Sequence, residues 1–111
     1  MRPMTWVVEL LNSEVEAELR ALPRDRLARF QRIVELIENQ GLEHVHEPHI
    51  KHLKDKLWEI RLKGRDGISR AMYVTATGKR VVVLRVFTKK TQKTPRKEIA
   101  LALERAKEVN R

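Results

Sequence analysis

Apolar side chains recur along this chain with two periods, and each change of period marks the boundary of a predicted element. Residues 5–11 (TWVVELL) are rich in side chains that favour strands. Helical spacing follows, with apolar positions at Val15, Leu19 and Leu22. Ser13, with Glu16 three residues later, is typical of a capping box at a helix start, and Pro23 ends this short helix.

A second helix is predicted directly after that proline, beginning near Arg24 or Asp25. Its apolar positions share one face: Leu27, Phe30, Ile33, Val34 and Ile37. Residues 39–41 (NQG) end the second helix. Because only the short turn at Pro23 joins the two helices, they are predicted to form an antiparallel hairpin. The polar face carries five arginines, which we expect to be solvated. They are Arg20, Arg24, Arg26, Arg29 and Arg32.

Three strands in succession are predicted from residue 57 onward, after an irregular stretch at residues 42–56 that has no clear period. Residues 57–63 (LWEIRLK) alternate between apolar and charged side chains, as a strand with one buried face does. Residues 68–75 and 80–87 are the next two strands. Turns that contain glycine (GRDG and ATGK) separate the three, which predicts an antiparallel meander.

The last predicted element is a helix, with Thr94 as its cap and Pro95 at its first position. Its apolar stripe comprises Ile99, Ala102, Leu103, Ala106 and Val109. The order β-α-α-β-β-β-α predicts an α+β fold: a small twisted sheet with an antiparallel meander, an N-terminal helical hairpin and a C-terminal helix. No linker is long enough to split the chain, so we expect residues 1–111 to form one domain.

The turns also predict which residues of the meander lie opposite one another. If both turns are four-residue loops, Arg61 opposes Arg70, and Arg70 opposes Arg85. Opposed residues point to the same face, so these arginines would form a row across three strands, which Lys63 extends. The other face would be the core, formed by Trp58, Ile60, Leu62, Ala71, Tyr73, Val82, Leu84 and Val86.

A row of arginines destabilises a sheet, by about 1 kcal/mol on typical cross-strand values, unless something neutralises it. A bound phosphate chain would do so, and so would Glu59 on the same face or an acidic partner. Lys89, Lys90 and Lys93 follow the third strand, and together with the row they predict the rim of a basic cleft. The alternative is that the arginines are solvated on an open sheet face, with their stems covering apolar neighbours.

Composition narrows the class of partner. The 111 residues carry 24 Lys and Arg against 15 Asp and Glu, a formal net charge of +9, which favours a polyanionic partner such as nucleic acid. A solubilising surface would carry the same excess. The absence of cysteine excludes disulfides and Cys-ligated metal. The sequence has neither a signal peptide nor an apolar run of membrane length, so we expect a cytoplasmic protein without a membrane partner.

Four histidines at residues 44–52 (HVHEPHIKH) raise the question of a metal site. His49 and His52 are three apart, as helical ligands can be, and His44 and His46 alternate. Because the segment has no cysteine, few carboxylates and a central proline, we expect ordinary loop or packing histidines and no metal. A second interpretation makes His49 or His52 a proton donor at the cleft edge.

The second half of the chain resembles the HigB-like branch of the RelE/ParE toxin superfamily. The matching pieces are LWEIRLKG at residues 57–64, the R-x-x-Y pattern of Arg70 and Tyr73, and FTKKTQKTP at residues 87–95 followed by a helix. The resemblance covers residues 57–109 specifically and the whole chain in element order. It implies a phage-derived toxin of a type II toxin–antitoxin module that cuts mRNA in the ribosomal A site and stops translation.

The resemblance also implies the partners and the site. The partners are the ribosome with its mRNA and a cognate antitoxin, often a helix-turn-helix protein; no cofactor is implied. By position, Arg70 matches the family's cleft arginine and Arg61 a basic position on the preceding strand, where both would neutralise transition-state charge. The residues expected to bind RNA backbone are Lys63, Arg85, Lys89, Lys90 and Lys93. For the five arginines on the polar face of the helical hairpin, the alternative to solvation is contact with ribosomal RNA.

Proton transfer is less completely assigned. Glu59 is a candidate base on the same strand face as Arg61, or only an ion-pair partner of the arginines. Some relatives place a Tyr or His near the C-terminal end as acid or base, and after Tyr73 this sequence has neither. Because of the strand alternation, we expect Tyr73 to point into the core.

Two other functions are compatible with the same resemblance. A ParE-like toxin would poison DNA gyrase through a protein contact and would have no nuclease activity. A phage relic would bind nucleic acid without catalysis. The arginine row and the lysines after the third strand favour an endoribonuclease over both.

Overall fold

The computed structural model describes residues 5–109 and confirms the predicted α+β class. Its strands are β1 (Val7–Leu10), β2 (Ile50–Lys54), β3 (Leu57–Gly64), β4 (Gly67–Ala76) and β5 (Arg80–Lys89). Its helices are α1 (Ser13–Arg20), α2 (Arg24–Gln40) and α3 (Arg96–Ala106). The predicted order is therefore correct apart from one additional strand, β2, and a short 3-10 turn at Leu42–His44.

The additional strand lies in the stretch that we expected to be irregular. Strand β2 (IKHLK) pairs with β3 alone and forms one edge of the sheet. Most of its side chains are exposed, and its pairing is interrupted by a bulge between His52 and Lys54. A short, basic, bulged edge strand is not required to alternate apolar and polar residues, so its sequence carries little strand signal.

All five strands form one sheet in the order β1-β5-β4-β3-β2. Strand β1 runs parallel to β5, and the other neighbours are antiparallel. The helical hairpin of α1 and α2 covers one face, which we call the hairpin face, and α3 packs on the other, the α3 face. Both faces carry a buried apolar core, so the face with the arginines is not an open, solvated surface.

The register between β3 and β4 confirms half of the predicted arginine row. Arg61 lies opposite Arg70, and Lys63 lies opposite Ile68 on the same face. The turn is tighter than predicted, because Gly64 and Gly67 are themselves paired and only two residues connect them. Shortening a loop by two residues preserves the alternation of side chains, so the predicted pairing survives.

The register between β4 and β5 differs from the prediction. Three residues rather than four connect the strands, with Ala76 opposite Arg80, and a bulge interrupts the ladder between Met72 and Tyr73. As a result Arg70 opposes Phe87, and Arg85 opposes Met72. The prediction that Arg70 faces Arg85 is therefore wrong, although two shifts of one residue leave both arginines on the α3 face.

The same shifts correct two predicted core positions. Val82 and Leu84 belong to the α3-side core rather than to the hairpin-side core, where Val81 and Val83 lie instead. Beyond the bulge the prediction is correct again, and Val86 packs with Ala71 under the hairpin. Trp58 is on the predicted face but is 39 % exposed, so it is not part of the buried core.

Both predicted helix caps are displaced by one residue. Asn12, not Ser13, caps α1, and its side-chain oxygen accepts a hydrogen bond from the Val15 N–H at 3.1 Å. Helix α3 begins at Arg96 with Pro95 as its cap, so Thr94 is not a capping residue. Asparagine and serine cap helices about equally well, so neighbouring candidates cannot be separated by type alone.

Arg26 is not part of the solvated arginine face of the hairpin. Its side chain is buried, and its Nη1 donates to the Gly67 carbonyl at 3.2 Å. A Cβ at Gly64 would lie 2.1 Å from the same Nη1, so this arginine fits against the β3–β4 turn only because residue 64 is a glycine. Arg26 thereby ties α2 to the tip of the meander.

Side chains continue the hydrogen bonding of β5 beyond the end of β1. The Glu18 carboxylate accepts from the Val86 N–H at 3.0 Å, and Arg105 Nη1 donates to the Leu84 carbonyl at 2.8 Å. Arg105 also donates to Glu18 at 3.0 Å, and Arg85 pairs with Glu18 at 2.9 Å. One carboxylate therefore links α1, β5 and α3.

We expect this carboxylate to make stability pH-dependent. Burial alone would raise the pKa of Glu18, but the hydrogen bonds from Arg105 and Val86 and the charges of Arg85 and Arg105 lower it below its ordinary 4.5. Glu18 therefore stabilises the fold above pH 4.5, and this contribution disappears as pH falls through the lowered pKa. In urea unfolding, Glu18→Gln should differ most from wild type near pH 7, and the difference should shrink below pH 4.5. Equal differences at both pH values would contradict this, and Glu35→Gln on the exposed side of α2 serves as the control.

Candidate nucleic-acid interface

A buried carboxylate lies at the centre of the candidate site. Glu59, on β3, is 1 % exposed and accepts a hydrogen bond from the Thr94 hydroxyl at 2.6 Å. Its two oxygens lie 3.4 Å from Arg61 Nε and 3.6 Å from Arg70 Nε. The carboxylate thus neutralises part of the repulsion between the two opposed arginines, as one of the sequence interpretations required.

The segment between β5 and α3, residues 90–95, covers these arginines; we call it the β5–α3 loop. Arg70 Nη2 donates to the carbonyls of Thr91 and Gln92, both at 2.7 Å. Arg61 Nη2 donates to the Gln92 carbonyl at 3.0 Å. The loop is therefore held on the sheet by guanidinium groups through its backbone and by Thr94 through Glu59.

Arg70 is enclosed but not fully satisfied. Its side chain is completely buried, and its Nε and Nη1 have no hydrogen-bond partner among the described residues. Burial lowers the pKa of Arg70, an effect that Glu59 opposes and the nearby charge of Arg61 reinforces. Buried donors without acceptors are rare, because each one loses its hydrogen bonds to water. Arg70 thus has capacity for one or more additional acceptor oxygens.

Beside this pair lies a groove of about 480 Å³, the basic groove, between the edge strand β2 and the β5–α3 loop. It is lined by Lys51, Leu53, Arg61, Gln92, Lys93 and Thr94, with His52 and Ile99 at its ends. The Arg61 side chain retains 15 % of its exposure, so one of the two arginines is reachable from the groove. Lys63 and Lys90 are also exposed, and Lys89 is half-buried.

Arg85 is not part of this cluster, contrary to the predicted row. Its Nε donates to Glu98 at 2.8 Å, and its Nη1 lies 2.9 Å from Glu18. The hydrogen bond from Arg85 to Glu98 and the charges of both carboxylates raise the pKa of Arg85. Two carboxylates therefore occupy this guanidinium, which links β5 to α1 and α3 rather than lining the basic groove.

The remaining titratable candidates lie outside the cluster. Tyr73 points into the hairpin-side core as predicted, and burial raises the pKa of its hydroxyl. All four histidines are exposed; His52 also forms a 2.7 Å hydrogen bond with the Asp55 carbonyl and lines the basic groove. Within residues 5–109, no group of three or more His, Cys, Asp or Glu side chains is arranged to hold a metal ion.

No helix in the same range is long and apolar enough to cross a membrane.

Two contributors to the site were missed by the sequence reasoning. Thr94 was interpreted as a helix cap, although its hydroxyl instead holds Glu59. Lys51 was placed in an irregular segment, although β2 brings it opposite Glu59 and into the basic groove. A threonine before Pro-Arg-Lys is a normal helix start, so nothing in the sequence distinguished the two uses of Thr94.

The arrangement is suited to an anionic, oxygen-rich ligand. Two guanidinium groups converge on the same small region, and their planar donors match phosphate or carboxylate oxygens. The exposed lysines around the groove extend this positive region without supplying a fixed geometry. Glu59 is the carboxylate in contact with both arginines, so any proton transfer near them has an acceptor close by.

Comparison with known proteins adds a family and a fold. The family model described as "Phage derived protein Gp49-like" matches residues 17–107. A comparison with curated proteins finds no match.

Two solved structures share the fold. A double arginine-to-alanine mutant of the E. coli toxin RelE in the free state aligns with a TM-score of 0.64 and 16% identity, over 92% of this chain and 98% of that one. An archaeal RelE–RelB complex from Pyrococcus horikoshii OT3 aligns with a TM-score of 0.56 and 20% identity, over 81% of this chain and 100% of that one. At these identities the likeness concerns the arrangement of helices and strands.

Proposed function

The chain belongs to the phage-derived Gp49-like family, and from this premise we propose that it is the toxin of a type II toxin–antitoxin pair. In this proposal it is an endoribonuclease of HigB-like type that cuts mRNA on the ribosome in the cytoplasm. Its fold is that of the E. coli toxin RelE, which is consistent with the toxin assignment.

One observation carries the ribonuclease part of the proposal. Arg61 and Arg70 lie opposite each other around Glu59, and within residues 5–109 the Arg70 Nη1 has no hydrogen-bond acceptor while its Nε has only the Glu59 carboxylate at 3.6 Å. A buried donor without an acceptor costs stability, whereas a phosphate group would satisfy it. This arrangement supports a site that would hold an anion in a defined orientation.

The reaction that this site would support uses the RNA's own nucleophile. The 2′ oxygen forms a bond to the adjacent phosphorus, and the bond from phosphorus to the 5′ oxygen breaks. The products are a 2′,3′-cyclic phosphate and a 5′-OH, so one proton leaves the 2′ oxygen and another reaches the 5′ oxygen. Arg61 and Arg70 would stabilise the charge of the pentacovalent intermediate, Glu59 would accept the first proton, and water would supply the proton that the 5′ oxygen gains.

RNA binding requires the β5–α3 loop to move in this proposal. The carbonyls of Thr91 and Gln92 occupy the Arg70 donors at 2.7 Å, and the same donors would bind phosphate oxygens. A charged phosphate is a stronger acceptor than a neutral carbonyl, so exchange of one for the other is favourable for the arginine. Lys63, Lys89, Lys90 and Lys93 would bind neighbouring phosphates, whereas Arg85 stays bound to Glu18 and Glu98.

The proposed partners follow from the same assignment. The ribosome would present the mRNA, and a cognate antitoxin, of helix-turn-helix type in our proposal, would silence the toxin. One structure that shares this fold is a RelE–RelB complex, in which such a toxin is bound by its partner protein. An acidic or amphipathic segment of the antitoxin would complement the net charge of +9.

Translation of a defined mRNA in vitro, followed by primer extension, tests this function. The wild-type protein should produce cuts at codons in the ribosomal A site, and adding the antitoxin should remove them. Intact mRNA combined with gyrase-dependent DNA breaks would instead identify a ParE-like toxin. Intact mRNA and intact DNA, together with retained RNA binding, would identify a non-catalytic nucleic-acid-binding protein.

A further inference from the structure

A second groove lies on the hairpin face of the sheet, across the edge strand β2 from the basic groove. Its volume is about 730 Å³, and its walls are mostly apolar. We call it the aromatic groove; Leu42, Val45, Ile50, Trp58 and Tyr73 form its walls, and His46, Glu47, His52 and Thr75 form its rim. Grooves of this size, apolar with a few polar groups, are typical of sites for small or planar ligands.

Trp58 gives this groove an exposed planar surface. Its side chain is 39 % exposed, although Ile60 and Leu62 on the same strand face are completely buried. The His52 ring contacts the indole in a T-shaped arrangement, with ring centroids 5.0 Å apart. An exposed aromatic ring is suited to stacking against another flat ring.

The two grooves meet at the edge of the sheet, where His52 lines both of them. Within residues 5–109, β2 is the outermost strand at this edge. Lys51 and Lys54 on this strand and Lys56 in the following turn are exposed along the same edge. A phosphate chain in the basic groove therefore has a positively charged path to the mouth of the aromatic groove.

The polar rim of the aromatic groove favours a base over a phosphate. Glu43 and Glu47 both line the groove and are exposed, and Glu43 accepts a hydrogen bond from the Trp6 indole at 3.1 Å. Carboxylates repel phosphate oxygens but accept hydrogen bonds from the amino groups of bases. The positively charged path outside the groove therefore matches the phosphate of one nucleotide, and the apolar walls with their acidic rim match its base.

We propose that the aromatic groove holds one base of a single-stranded RNA whose backbone lies along the basic groove and the β2 edge, with Trp58 as the stacking surface. This inference rests on the proposed RNA substrate. It assigns to β2 the role of separating a phosphate site on one side from a base site on the other. Binding here depends on the presence of a base, because stacking on an aromatic ring requires a flat partner.

Binding of a fluorescently labelled, fully 2′-O-methylated RNA oligomer at low ionic strength tests the proposal, because such RNA lacks the nucleophile and stays intact. Trp58→Ala should weaken binding about tenfold, a typical effect of losing one stacked base, and Trp58→Phe should recover most of the loss. A series of oligomers with one abasic position each should contain one that binds wild type about tenfold more weakly. Trp58→Ala should bind that oligomer and the intact one equally.

Leu36→Ala is the matched control, since Leu36 is an exposed apolar residue on α2, outside both grooves. Unfolding midpoints should be similar for wild type and Trp58→Ala. Equal RNA affinity of wild type and Trp58→Ala would overturn the inference. A Trp58→Ala variant with normal RNA affinity but weakened binding to the antitoxin would overturn it as well. Failure of the wild-type protein to bind the oligomer would also overturn the base-site inference. If the same protein still produced A-site cuts in the translation assay, the proposed function would stand. Oligomer binding without A-site cuts would contradict the proposed function alone.

Discussion

Arg70→Ala is expected to reduce A-site cleavage of mRNA by about a hundred- to a thousandfold, the usual effect of removing one donor that stabilises developing negative charge. The expectation follows from the position of Arg70, which is completely buried beside Glu59 and opposite Arg61. No other guanidinium lies as deep under the β5–α3 loop within residues 5–109. Primer extension on a translated mRNA, with time courses for each variant, measures the loss.

Three further variants distinguish a role of Arg70 in cleavage from its role in holding the β5–α3 loop. Arg70→Lys keeps the charge but not the planar pair of donors, and it should recover only part of the activity. Thr94→Val releases the loop from Glu59 without changing either arginine, and it should lose less than about tenfold, the scale of one hydrogen bond. Arg29→Ala removes one exposed charge from α2 and should cut like wild type.

Comparable losses in Thr94→Val and Arg70→Ala would contradict this assignment. They would mean that Arg70 acts only by holding the loop. Normal cleavage by a folded Arg70→Ala protein would contradict the proposed mechanism more directly. Circular dichroism and urea unfolding of each variant establish that the compared proteins are folded.

The largest expected effect on stability belongs to Glu59. Glu59→Ala should lower the free energy of unfolding by about 3–5 kcal/mol, because it leaves two guanidinium groups, one of them completely buried, without their carboxylate. It also removes the acceptor of the Thr94 hydroxyl, so the β5–α3 loop loses one of its attachments. Urea unfolding at neutral pH measures the change.

A double variant tests whether the loss comes from uncompensated charge. Glu59→Leu combined with Arg70→Met removes the buried pair together and should be clearly more stable than Glu59→Leu alone, since replacing both partners avoids a buried unpaired ion. Glu35→Ala on the exposed side of α2 should be close to wild type. If the double variant were as unstable as the single one, packing rather than charge would explain the role of Glu59.

The positions of the helices and of the three main strands could be predicted because their apolar periods are long and distinct. Helix α2 carries its stripe over about three turns, and β3 alternates without interruption. Strand β2 could not be predicted, because an edge strand with exposed side chains has no buried face to impose a period. Because β2 lies in the segment that was expected to be irregular and also contributes to the candidate site, its part of the site was not predicted.

The predicted arginine row shows which strand pairings can be predicted from the alternation of side chains and which cannot. Arg61 and Arg70 were placed together correctly because the error in the first turn was an even number of residues. The second turn and the bulge each shift the pairing by one residue, which moved Arg85 opposite Met72 and reversed the faces of Val82 and Leu84. Turn length and bulges depend on how β4 and β5 twist against the helices, and neither leaves a clear mark in the sequence.

By itself, the sequence determined the α+β class, the order of the predicted elements and the pairing of Arg61 with Arg70, because periodicity and short turns act between near neighbours. Only the tertiary structure decided that Arg70 is enclosed by the β5–α3 loop, that Arg85 binds Glu18 and Glu98, and that Thr94 serves Glu59. These contacts join residues far apart in the chain. Which carboxylate neutralises which arginine depends on the distances that packing leaves between them, and residue types alone do not specify those distances.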